Sequence, residues 1–260
     1  MFTKLQKRFV AVVFLGLFSL ATFPSSLTAT HPWGAFHWAR TINPFTLKLG
    51  DNLTSAWDPY LATTSSDWSL STVLDTTIVA GGERKNCGAV SGRVEVCNRK
   101  YGNNGWLGIA QIWTSSNHIT QAIVKMNDTY FTTATYNTPA WKNLVMCQEV
   151  GHVFGLDHQD EGQTNPNLGT CMDYTNNPSG PLNNEHPNQH DYDQLLVIYT
   201  HLDATTTLSQ TAPSAMGQLS FDDRKNWGKK IRQSHDGLTA LYEFDFGGGH
   251  KVFTHVTWAY

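Results

Sequence analysis

The segment Gln148-Glu149-Val150-Gly151-His152-Val153-Phe154-Gly155-Leu156-Asp157-His158 constrains this chain more than any other stretch of it. Residues four apart share a helical face, so on a helix Gln148 and His152 point the same way while Glu149 lies about 100° to one side. Gly155 can leave the helix through a left-handed conformation that side chains resist, turning the chain so that His158 returns to the same point. The helix has a matching start. Thr138 can cap free backbone donors, and Pro139 suits the first helical position, where its missing N–H costs nothing. The expected helix runs from there to Gly155. An amide, two imidazoles and a carboxylate then converge as a metal site with a base beside it. Zinc accepts imidazole nitrogens in tetrahedral geometry, and a catalytic zinc keeps one position open for water. Glu149 would take a proton from that metal-bound water and deliver it to a leaving amine.

Around this segment the hydrophobic pattern predicts a sheet and few helices. Phe45 to Leu49 alternates like a half-buried strand, and Ser55 to Trp68 carries Trp57, Tyr60, Leu61 and Trp68 at helical intervals. Val73 to Val79, Arg93 to Val96, Trp106 to Trp113 and His118 to Met126 read as four further strands, most simply in one sheet. A second helix is expected from about Asp191 to Leu202, with Tyr192, Leu195, Leu196 and Tyr199 on its apolar face. Residues 203–220 read as a linker. Lys229 to Gln233, Leu238 to Phe246 and Lys251 to Trp258 then form a small β appendage over 221–260.

The first residues have another character. Lys4, Lys7 and Arg8 precede an apolar run from Phe9 to about Phe23, followed by Pro24, Ser25, Ser26 and a small-residue site ending at Ala29. That is the pattern of a signal peptide over 1–29, too short for a membrane span, so a secreted, extracellular protein without stable membrane association is expected. Four cysteines fit an oxidising compartment. They allow three pairings. Cys87 and Cys97 are spaced to close a loop or hairpin, which leaves Cys147 and Cys171 as the natural other pair. Asn52 and Asn127 begin glycosylation sequons. The chain has 15% charged residues and a formal net charge of -3, which excludes the basic surface of a nucleic-acid binder. A monomer acting on protein or peptide substrates is expected.

The motif resembles the metzincin signature HExxHxxGxxH, here as QExxHxxGxxH, followed by Cys171-Met172-Asp173-Tyr174 in the manner of a methionine turn. The resemblance covers about residues 40 to 202 and implies an α+β catalytic domain over 30–202, with a twisted mixed sheet, an active-site helix and an irregular lower part ending in a helix. It implies a zinc endopeptidase with His152, His158 and Gln148 as ligands and Glu149 as base. Met172 would lie beneath the metal, and Tyr174 would support the developing oxyanion. A Cys147–Cys171 bond would brace that floor.

Gln148 stands where the family has its first histidine, and an amide oxygen is a weaker zinc ligand than imidazole nitrogen. Either Gln148 ligates, or another group fills the place, or the site holds no metal and the chain is a non-catalytic binding protein. His186 and His190 are candidates for a replacement ligand, and Trp227, Tyr242, Phe253 and Trp258 for partner contacts. Asp157, Asp160 and Glu161 offer a weaker possibility, a structural calcium without regular ligand spacing.

Overall fold

A computed structural model describes residues 31–82, 87–209 and 220–260. The expected signal segment and residues 210–219 of the expected linker lie outside the described residues. The architecture is α+β. Its strands are β1 (His37–Trp38), β2 (Phe45–Asn52), β3 (Leu74–Ala80), β4 (Val94–Arg99), β5 (Trp106–Ser115), β6 (His118–Asn127), β7 (Lys229–Gln233), β8 (Thr239–Gly247) and β9 (His250–Trp258). The helices are α1 (Asp58–Trp68), α2 (Asp128–Phe131), α3 (Pro139–Val153) and α4 (Gln189–Ile198).

Among the described residues the strands make one mixed sheet in the order β3-β2-β4-β6-β5-β9-β8-β7, with the short β1 on the start of β6. The β3-β2-β4-β6 part is parallel, and from β5 onward every pairing is antiparallel. The segment 221–260 is therefore not set apart. Its strands β9, β8 and β7 extend the sheet from the edge of β5, with Ala110 paired to His255 and Ile112 to Phe253.

Two cores explain why β5 reads as an almost unbroken apolar run. It gives Leu107, Ala110 and Ile112 to the larger cluster, which includes α3, and Trp106, Ile109 and Trp113 to a second cluster completed by Phe221, Trp227 and Val256. A strand buried on both faces has no polar face to alternate with. Of the four aromatics expected as contact residues, Trp227, Tyr242 and Phe253 are buried and Trp258 packs against the second core. On α4, Leu195 and Tyr199 face the core, whereas Leu196 is exposed, so the apolar face is narrower than the spacing suggests.

α3 starts as its sequence dictates, with the Thr138 hydroxyl accepting from the Trp141 N–H and Pro139 in the first turn. It ends two residues before Gly155, whose φ is +95° and where a Cβ would collide with the Phe36 carbonyl. Disulfides join Cys87 to Cys97 and Cys147 to Cys171. Both sequon asparagines are buried in the fold, and Asn127 caps α2. No helix among the described residues is long and apolar enough to cross a membrane.

Candidate metal centre

The left-handed turn at Gly155 carries His158 back to α3, where its Nε2 lies 3.0 Å from Nε2 of His152. The third imidazole comes from β9. His255 packs against both, with ring centroids 3.9 Å from His152 and 4.8 Å from His158, and one nitrogen from each of the three rings lies within 4.8 Å of the others. β9 reaches this position because it pairs along β5, which in turn runs beside α3.

Gln148 has other work. Its Nε2 donates to the Cys171 carbonyl at 2.9 Å, and its Oε1 lies 3.3 Å from the Thr257 hydroxyl of β9. The amide thus joins α3 to the loop before Met172, beside the Cys147–Cys171 bond, and to the C-terminal strand. His186 pairs with Asp67, and His190 stacks on His31, so neither joins the three imidazoles. Asp157 is engaged by both terminal nitrogens of Arg232 on β7, which occupies the carboxylate that a calcium would require. His31, His190 and Asp191 form another buried cluster, in which His31 Nδ1 bonds the Asp157 carbonyl.

Glu149 is fully buried behind β5, where Gly108 makes its room: a Cβ at Gly108 would overlap the carboxylate. The Thr257 hydroxyl donates to Oε1 at 2.7 Å, and Oε2 lies 4.0 Å from His255 Nδ1. Burial pushes this carboxyl up to about 8, against the opposing hydrogen bond from Thr257. Burial first, and then the neighbouring imidazoles, hold His152 and His255 well below the ordinary histidine range, so both rings are neutral. Tyr174 closes the site, its ring 4.4 Å from that of His158, and its buried hydroxyl lacks a well-formed hydrogen bond. Burial and the nearby Glu149 push that phenol well above its usual value. Met172 is buried against α3, with its sulfur facing Gly151.

These residues fit a cation. The Leu156 carbonyl holds the Nδ1–H of neutral His152 at 2.9 Å, which leaves the Nε2 lone pair directed at His158. His158 Nδ1, His255 Nδ1 and Glu149 Oε2 are buried without hydrogen-bond partners. Buried polar atoms are costly when unpaired, and His255 Nδ1 and Glu149 Oε2, 4.0 Å apart beside the imidazoles, are orphans of the kind a bound ion would satisfy. Neutral imidazole is also the form that binds metal.

The group is closed. The side chains of His158 and Glu149 have no exposed surface, and Trp33 of the N-terminal segment sets its ring edge against His152 and His255. A cleft lined by Leu107, Trp141, Val145, Tyr174, Trp258 and Tyr260 reaches Gln148 and Thr257, next to the buried carboxylate. A second opening, between His31, Glu161 and Arg232, reaches His158.

No protein-family model matches the chain, and no curated protein matches it. Among solved structures it is similar to Myroilysin, at 13% identity over 62% of this chain and 82% of that one, with a TM-score of 0.36. Two chains alike only to that degree need not share a fold or an activity.

Proposed function

We propose that the chain is a zinc-dependent peptide hydrolase of the metzincin kind whose third histidine ligand is His255. The observation that carries this reading is the convergence of His152, His158 and His255 beside a buried Glu149. Three imidazoles are a donor set suited to zinc, and they make a ligand from Gln148 unnecessary. When bound, the ion would supply Lewis acidity and an activated water.

Each residue has a definable task in such a reaction. Glu149 Oε2, the oxygen not engaged by Thr257, holds or moves the proton. The Tyr174 hydroxyl is a donor without a firm partner, available to an oxyanion beside His158. Thr257 orients Glu149, and the Gln148 amide holds the surrounding loop and strand. Because Glu149 and the three imidazoles are buried, a peptide reaches them only after residues at the cleft mouth, such as Tyr174 and Trp258, move.

The test is hydrolysis of unfolded protein substrates by the purified chain and by Glu149→Gln, with zinc content measured on both. The expected result is chelator-sensitive cleavage that falls about 100-fold or more in the variant, in line with the loss of a general base, with zinc content unchanged. Closure itself favours a second reading, a non-catalytic metal-stabilised binding protein. Zinc in both proteins with no cleavage by either would select that reading.

A further inference from the structure

We propose that His37, His118, His201 and Asp203 form a second, structural metal site that takes one zinc ion. Three separate parts of the chain meet there. β1 brings His37, and the register of β1 on β6 sets it directly opposite His118 at the β5–β6 turn. The segment that leaves α4 brings His201 and Asp203.

Asp203 Oδ1 is the hub of the group, and His37, His118 and Asp203 offer ligand atoms that all lie within 4.8 Å of one another. Asp203 Oδ1 lies 3.4 Å from His37 Nε2, 3.3 Å from His118 Nε2 and 3.7 Å from His201 Nε2. His201 Nε2 is 3.2 Å from His37 Nε2. With zinc–ligand bonds of about 2.0–2.1 Å, the edges of a tetrahedral site are about 3.3 Å. The observed separations bracket that value.

The surroundings orient the donors. The Ala35 carbonyl accepts from His37 Nδ1 at 2.9 Å, which turns Nε2 toward the cluster. Arg40, almost wholly buried, donates to Asp203 Oδ2 from Nη1 at 3.0 Å and from its backbone N–H at 3.2 Å. The guanidinium also bonds the His201 carbonyl and lies over the Tyr199 ring. One carboxylate oxygen is thus held by arginine, and the other is turned toward three imidazole nitrogens.

Four protein donors fill a tetrahedral zinc and leave no position for water, which marks a structural site. It would pin the segment after α4 to β1 and to the β5–β6 turn. Hydrogen bonds from Asp203 N–H to the Arg40 carbonyl and from Thr207 N–H to the Ala39 carbonyl continue that attachment. This site is independent of the cluster at His255 and of any peptidase activity.

The experiment is zinc titration of the chelator-stripped full chain, with stoichiometry read by elemental analysis and the coordination by the d–d absorption of the cobalt form. The expected count is two ions for the parent. His118→Ala and His201→Ala alter side chains that are 37% and 54% exposed, so both variants should fold, as circular dichroism would verify. Each should lose one equivalent and one tetrahedral cobalt signal, while His255→Ala loses the other. An unchanged zinc count in both His118→Ala and His201→Ala overturns the second site, whatever His255→Ala does. Loss in those two variants with no loss in His255→Ala would retain this site and remove the first.

Discussion

Thr257 donates to Glu149 while lying against the Gln148 amide, so one hydroxyl on β9 lies beside two successive residues of α3. This division of labour between Gln148 and His255 has a direct consequence. Under the proposed function, Gln148→Ala should keep the zinc of the His152–His158–His255 cluster, whereas His255→Ala should lose that equivalent, and metal analysis of the two variants separates the roles. Elsewhere, the capping carboxylate of α4, Asp191, is raised to about 6 by burial, against hydrogen bonds from Thr170 and the Asn188 backbone. His31, 3.4 Å away, is lowered to about 4, again chiefly by burial. The two shifts act in opposite directions on stability. The contribution of Asp191 is complete below pH 3.8, its ordinary value, and is lost as pH rises through about 6. That of His31 is complete above pH 6.5 and is lost as pH falls through about 4. Between about pH 4 and 6 the two slopes oppose each other. Denaturation of Asp191→Asn should show stability that increases with pH across this window more steeply than in the parent, and His31→Gln the reverse.

Within the elements, α3 and the loop ending at Met172 act as one unit. The Cys147–Cys171 bond and the Gln148-to-Cys171 hydrogen bond join them at adjacent positions, and the Gln159 N–H bonds the Met172 carbonyl. Replacing both cysteines by alanine should destabilise the fold by about 3 kcal/mol, the loop-closure value for a crosslink of this span, as measured by denaturant unfolding. Helix α3 itself was legible from Thr138, Pro139 and Gly155, because caps and a left-handed glycine are local rules. The limits of α4 were legible less well. Its capping box at Asn188 and Asp191 starts it at Gln189, and Leu196 faces solvent because the covered face of α4 runs through Asp191, Gln194 and Leu195.

Across the whole molecule, the sheet continues without a break from the parallel β3-β2-β4-β6 part through β5 into β9, β8 and β7. The edge of β5 is covered by its own chain, which removes an exposed template for strand addition. Residues 221–260 also finish the second core, so their folding is tied to that of β5. Hydrogen exchange should therefore show the amides of β9 among the slowly exchanging set, together with those of β5. Fast exchange of β7–β9 as a block would indicate a detachable unit.

The sequence by itself determined the elements that obey local rules: helix α3 and its turn, the strand runs, and the positions of His152, His158 and Glu149 on one short segment. Spacing within a helix and one turn is set by backbone geometry, so those three residues were readable without a fold. His255 was not readable, because it lies 97 positions beyond His158 on a strand whose register against β5 is fixed only by the packing of two cores. The same holds for His37, His118, His201 and Asp203, which strand pairing and the path after α4 bring together from distant parts of the chain. Tertiary structure also set the Gln148 amide against the Cys171 carbonyl and the Thr257 hydroxyl, neighbours that no local pattern places beside it.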